Sequence, residues 1–183
     1  MKIKHILCGL CILVNSVYGS YIPNGFKIIQ EESNFLSNLI IDNNLPCHLS
    51  AARVKTFEST IYKLNNINHK FNQYNNNNNN NNNKNSGIYD LYDIIGFRYV
   101  FYNLEDLLKF YHRIKLDRTV IYSKNYIIDP KDNGYKSMHL RYLNPHKELC
   151  PVKQLECQLY IIDDYYNSLY GTALYDKNYT FYF

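Results

Sequence analysis

Four short constellations in this 183-residue chain carry side chains suited to phosphate chemistry. Arg53 and Lys55 are alternate residues on a segment that reads as a strand, so both cations project to one side. Ser59 and Lys63 lie four apart at the start of the next helical pattern and share a face there. Cations, a hydroxyl and free backbone N–H groups at one helix start bind phosphate well, although such a set taken alone is more often a solvated helix face. Asp93 and Arg98 flank Gly96 at the mouth of a second strand, where acid and cation suit a metal and a nucleotide, or only a turn and a surface. An unbroken strand sends positions 93 and 98 to opposite faces, and the sequence leaves open whether Gly96 marks a bulge that brings them together. In the loop Asp129–His139, Pro130 and Asn133-Gly134 set a tight turn that presents Lys131, Tyr135 and His139. An exposed aromatic beside a lysine suits stacking a base and holding its phosphates. Glu156, with Gln158, lies on the polar side of an otherwise apolar strand; it is either solvated or, paired with Asp93, part of a Mg²⁺-binding acidic pair.

The elements that must hold these residues follow from periodicity. Apolar positions Phe26, Ile29, Phe35, Leu36, Leu39 and Ile40 predict a helix over 26–43, and Phe57, Ile61 and Leu64 another over 57–67. Segments 46–54, 94–102, 119–123, 137–143 and 152–161 read as strands. The last alternates, with Leu155, Cys157, Leu159 and Ile161 on one side and Gln154, Glu156, Gln158 and Tyr160 on the other. Asn103 is a fitting N-cap for a helix carrying Leu104, Leu107, Leu108, Tyr111 and Ile114, and a final helix is expected over about 163–174. The order gives an α+β domain with a mixed sheet. The run Asn75–Asn83 has nothing to bury, so a disordered insert is expected at about 72–87, inside one domain spanning 20–183.

Composition narrows the classes. With 46% hydrophobic and 20% charged residues the chain is neither wholly disordered nor a multi-span membrane protein. Residues 1–19 have the lysine-led, apolar pattern of a secretory signal peptide. Loss of Lys2 and Lys4 takes the formal charge from +4 to +2, too small for general nucleic-acid binding. No membrane association is expected after cleavage. Cys47, Cys150 and Cys157 form no disulfide framework or metal spacing, and reduced thiols are expected.

Taken together and in this order, the motifs resemble the RelA/SpoT (p)ppGpp synthetases. That family's pattern is R-x-K-x₃-S-x₃-K, D-x₂-G-x-R, a P-K-x-N-G-Y-x-S-x-H loop and E-x-Q. Here the pattern is met by Arg53, Lys55, Ser59 and Lys63; Asp93, Gly96 and Arg98; Pro130, Lys131, Asn133, Gly134, Tyr135, Ser137 and His139; and Glu156 and Gln158. Tyr170-Gly171-Thr172-Ala173 is similar to the family's Y-G-x-A helix, and the likeness spans about residues 46–177.

The resemblance implies a nucleotidyltransferase-like mixed sheet flanked by helices. It also implies Mg²⁺-dependent transfer of the β,γ-diphosphate of ATP to the 3′-OH of GDP or GTP. By the same likeness Arg53 and Arg98 sandwich the adenine, and Lys55, Ser59 and Lys63 hold the ATP phosphates. Asp93 and Glu156 bind the metal, with Glu156 also taking the 3′-OH proton. Tyr135 stacks on guanine, and Lys124, Lys131, His139 and Gln158 complete the GDP/GTP site. Tyr160 stands where the family has Arg, Asn125 where it has Asp, and Tyr175 where it has His. Two other readings stay open: a non-catalytic nucleotide-binding protein of this fold, and a transferase for another acceptor such as the tRNA 3′ end. A homo-oligomer is compatible with either. A plastid of secondary origin reached through the secretory pathway is the expected location, ahead of secretion, because it supplies nucleotides and keeps thiols reduced.

Overall fold

The computed structural model describes residues 11–12, 22–77 and 87–175. Its elements are β1 (Cys11–Ile12), α1 (Gly25–Asp42), β2 (Cys47–Val54), α2 (Phe57–Asn77), a single 3₁₀ turn (Ile88–Asp90), β3 (Ile95–Phe101), α3 (Leu104–Asp117), β4 (Val120–Asn125), β5 (Met138–Leu143), β6 (Gln154–Ile161) and α4 (Ile162–Tyr175). The strands form one mixed sheet in the order β1-β2-β3-β6-β5-β4. β2–β3, β6–β5 and β5–β4 are antiparallel, whereas β3–β6 and the two-residue β1–β2 bridge are parallel. The expected α+β class with a helix-flanked mixed sheet is the observed one. Apart from Cys11–Ile12, the expected signal peptide lies outside the described residues.

Period-two alternation splits the sheet into two chemically distinct faces. On one, Phe97, Tyr99 and Phe101 of β3, Leu155, Cys157 and Leu159 of β6, and Met138, Leu140 and Tyr142 of β5 are buried. Helices α1 and α3 close this face; Phe110 of α3 lies with its ring 5.0 Å from Tyr99 and 5.2 Å from Phe101. Each large apolar side chain buried here contributes about 1.5–3 kcal/mol, which makes this layer the main source of stability. Asn103 caps α3, its side chain accepting from the Asp106 N–H at 2.9 Å.

Two expectations need correction, and one question that the sequence leaves open is answered. Phe26 is 50% exposed, because the buried stripe of α1 runs through Ile28, Ile29, Glu32, Ser33, Leu36 and Leu39, and Phe26 lies off it. Helix α2 runs to Asn77, ten residues past its expected end and into the asparagine run, since no Gly or Pro interrupts 57–77; residues 78–86 of the expected insert lie outside the described residues. No bulge forms at Gly96: the β2–β3 register runs unbroken from Leu49↔Val100 to Val54↔Ile95. Asp93 instead precedes β3, in a bend at 92–94, and strand alternation does not govern where it points.

Glu32 was not foreseen. Its carboxylate is fully buried and takes both Nε and Nη2 of Arg118 at 3.0 Å, with His146 Nε2 at 3.3 Å from Oε2. Phe35 covers the Arg118 guanidinium at 3.4 Å. This cluster ties α1 to the α3–β4 junction and to the β5–β6 connection, on the apolar side of the sheet.

Candidate active site

The second face of the sheet carries the polar residues, and the strand register arranges them in rungs. One rung reads Arg53, Gly96, Glu156, Arg141 and Tyr122 across β2, β3, β6, β5 and β4. The next reads Ala51, Arg98, Gln158, His139 and Lys124. Paired residues project to one side, so Arg53, Arg98, Glu156, Gln158, His139 and Lys124 share a surface. Gly96 leaves the centre of the first rung without a side chain; a Cβ there would stand 3.9 Å from Arg53 Nε and from the Glu156 carbonyl oxygen, so packing alone does not demand glycine.

At one end of this surface lies an open cleft of about 590 Å³, lined by Lys55, Glu58, Ser59, Tyr62, Lys63, Asn66 and Asp93. Asp93 sits at its base with Lys55 Nζ 2.8 Å from Oδ2 and Lys63 Nζ 2.8 Å from Oδ1. Burial raises the Asp93 pKa, but the two lysines outweigh it and hold the carboxyl below its usual range. Thr56 explains the helix start: its Oγ1 accepts from the Ser59 N–H at 3.3 Å and donates to Ser59 Oγ at 3.0 Å. The Ser59 hydroxyl proton is thus left to point elsewhere.

The other end is built by the β4–β5 loop. The Lys131 carbonyl accepts from the Gly134 N–H at 2.8 Å, and Gly134 has φ of +77°, a conformation that favours glycine. Asn125 Oδ1 accepts from the N–H groups of Ile127 and Ile128 at 3.0 and 3.2 Å, so a carboxamide does here what a carboxylate oxygen would do. The loop returns Tyr135 to the sheet, with its hydroxyl 2.8 Å from His139 Nε2 and 2.7 Å from the Tyr160 hydroxyl. Lys131 Nζ sits 4.6 Å from the centre of the Tyr135 ring and 4.8 Å from that of Tyr126. Lys124 pairs with Asp129 at 2.7 Å.

Glu156 lies between the two ends. Its Oε2 accepts from Gln158 Nε2 at 3.0 Å and its Oε1 is 3.5 Å from His139 Nδ1. Burial again raises the pKa, but His139 and Gln158 together bring it below the usual carboxylate range, against a smaller upward push from the charge of Asp93. Asp93, which lines the cleft, and Glu156, which pairs with Gly96 on the same sheet face, are hard oxygen donors that suit Mg²⁺, although both Asp93 oxygens are paired with lysines. The ion takes one or two carboxylates and leaves its other positions to water and substrate phosphates. Among the described residues no three His, Cys, Asp or Glu side chains converge on one point.

Every site residue expected from the sequence falls on this surface or its rim. Tyr92 and Arg141 were missed, and Tyr160 was placed on the polar face without a role. Tyr92 lies under Lys63 Nζ at 3.9 Å, and the Arg141 guanidinium is held between Tyr92 at 4.1 Å and Tyr122 at 3.7 Å. Tyr160 contacts Tyr135 and Gln158 and lies 5.4 Å from the Arg98 guanidinium. Strand arithmetic could have found Arg141, two positions along its strand from His139, just as alternation put Tyr160 on the polar side with Glu156 and Gln158.

A family profile described as "Region found in RelA / SpoT proteins" matches residues 52–163. No curated protein sequence matches the chain. Among solved structures, small alarmone synthetase 2 from Bacillus subtilis is 24% identical, with 86% of this chain and 81% of that chain covered and a TM-score of 0.65. Small alarmone synthetase 1 from the same organism is 20% identical, over 84% and 75% of the two chains, also with a TM-score of 0.65. The latter is also solved bound to its product pppGpp, at 19% identity over 82% and 77% of the chains with a TM-score of 0.63. These likenesses establish a shared fold.

Proposed function

Because this chain belongs to the RelA/SpoT family, we propose that it transfers the β,γ-diphosphate of ATP to the 3′-OH of GDP or GTP, making (p)ppGpp and AMP. The observation that carries this reading is the alignment of three parts on one sheet face: a cationic cleft over Asp93, the buried carboxylate Glu156, and the aromatic loop of Tyr135. The fold's relatives support the nucleotide class, since small alarmone synthetase 1 from Bacillus subtilis has been solved with pppGpp and with AMPCPP.

In this reading Lys55, Lys63 and the Ser59 hydroxyl bind the ATP phosphates, and Arg53 and Arg98 bracket the adenine. Tyr135 and Lys131 hold the guanine nucleotide, with Lys124, His139 and Gln158 fixing its ribose and phosphate side. The 3′-oxygen attacks the β-phosphorus as the α–β anhydride bond breaks. The diphosphate joins the ribose, AMP leaves with the bridging oxygen, and Glu156 accepts the 3′-OH proton. With its pKa held below the usual range, Glu156 is ionised at neutral pH and ready as the base. Asp93 and Glu156 would hold Mg²⁺, which supplies charge neutralisation on the transferring phosphates.

The test is purified protein with ATP, GTP and Mg²⁺, with products separated by anion exchange. The expected result is AMP and a guanosine pentaphosphate in equal amounts, their absence refuting the reading. Tyr160 in the family's Arg position favours one alternative, nucleotide binding without turnover, which calorimetry showing GDP and ATP binding with no product would support.

A further inference from the structure

Tyr160 is buried at the junction between the two proposed nucleotide sites, and the polarity of its hydrogen bonds can be worked out. Gln158 donates its amide N–H to Glu156 Oε2 at 3.0 Å, so its carbonyl oxygen faces the other way. That oxygen accepts from Arg98 Nη2 and from the Tyr160 hydroxyl, each at 3.1 Å. A phenol has one proton, and Tyr160 has spent it on Gln158. At the 2.7 Å contact with Tyr135, Tyr160 must therefore accept, and Tyr135 must donate. With its proton given to Tyr160, Tyr135 accepts from His139 Nε2 at 2.8 Å in the ring state that carries a proton there. From Gln158 to Tyr135 each hydroxyl and amide proton has one assignment, and that chain holds the Tyr135 hydroxyl against Tyr160. The Tyr160 ring, meanwhile, packs edge-on to Tyr165 at 5.5 Å and lies within cation–π range of Arg98.

We propose that Tyr160 is a positioning residue for the acceptor nucleotide: its hydroxyl locks Tyr135 in the orientation that meets the acceptor base and ties that lock, through Gln158, to Arg98. The inference rests on the proposed function and adds to it a residue with no assigned role in the acceptor site. Burial raises the Tyr160 pKa far above neutrality, so the hydroxyl keeps its proton at working pH.

The experiment measures binding of GDP and of AMPCPP by calorimetry in wild type, Tyr160→Phe, Tyr135→Phe and the double variant, alongside turnover. Tyr160→Phe keeps the buried ring and removes only the hydroxyl. It is expected to weaken GDP binding and raise the acceptor KM by about fivefold, the worth of one neutral hydrogen bond, with AMPCPP affinity and kcat within about twofold of wild type. The double variant is expected to bind GDP no more weakly than Tyr135→Phe alone, because both substitutions break the same lock. A Tyr160→Phe protein that binds GDP as wild type does, loses both ligands equally, or combines additively with Tyr135→Phe overturns the proposal and leaves the enzyme reading standing. A wild type that binds neither nucleotide overturns both. Should Tyr160→Phe fail to fold, Tyr135→Phe decides the matter alone, since it removes the same bond from the loop side: unchanged GDP affinity there refutes the lock.

Discussion

Replacing Asp93 by Asn should separate phosphate binding from turnover, in opposite directions. In the protein both oxygens of Asp93 are occupied, each by a lysine ammonium at 2.8 Å, and the side chains of Lys55, Lys63 and Asp93 are only 16%, 22% and 13% exposed. A phosphate entering the cleft meets two cations already neutralised by half and a carboxylate that repels it. A unit charge at about 4 Å is worth about 4 kcal/mol at an effective dielectric of 20. An open cleft and physiological salt reduce that severely, to about 1–1.5 kcal/mol. Asp93→Asn keeps the shape and removes the charge, so metal-free affinity for inorganic triphosphate or AMPCPP should tighten by about tenfold. Turnover should fall by about 10²–10³, since an acidic group that helps neutralise the transferring phosphates is lost. Calorimetry in EDTA measures the first quantity and AMP release with Mg²⁺ the second. Weaker metal-free binding in Asp93→Asn would show that the carboxylate organises the lysines rather than competing for them, and near-normal turnover would show that Asp93 is the wrong acid.

Two further outcomes test other parts of the structure. Glu32→Ala should cost about 3 kcal/mol by leaving Arg118 without its buried partner, lowering Tm by about 6–12 °C, while AMP release per folded molecule stays as in wild type because the cluster lies on the opposite face; a melting curve within about 2 °C of wild type would refute the cluster's role. The depressed pKa values of Asp93 and Glu156 stabilise the fold above the ordinary carboxylate range, and this contribution is lost as pH falls through their lower folded values. Urea midpoints should therefore hold steady from neutrality to about pH 4 and drop below it, less steeply in Asp93→Asn, so an identical acid limb in the two proteins would contradict the assignment.

Much of this architecture can be read from the sequence because it is local. Alternation over 154–161 assigned each β6 residue to its face, and Asn103 marked the α3 start by its own chemistry. The site motifs were legible for a different reason, since each is a short spacing on a single element. What escaped depends on partners far along the chain. Glu32 sits mid-helix like any solvated acid until Arg118, 86 residues on, and His146, 114 residues on, arrive beside it. Alternation puts Arg141 and Tyr160 on the polar face, but which partners they meet follows only once β6 is placed between β3 and β5. The face of Asp93 was misjudged by counting alternation through residues that precede the strand.

The parallel β3–β6 seam also orders the site in time. Lys55 and Asp93 are 38 residues apart, so the cationic cleft can form once β2, α2 and β3 exist. Contacts across the seam, such as Arg98 with Gln158, span 60 residues and enclose α3 and the β4–β5 hairpin. Closing that loop has a large entropic cost before any contact repays it, which makes it the natural slow step of folding. During synthesis the chain therefore carries a phosphate-attracting half before the strand bearing Glu156 has left the ribosome. The candidate site is completed in one event, when the two halves of the sheet meet along a single line.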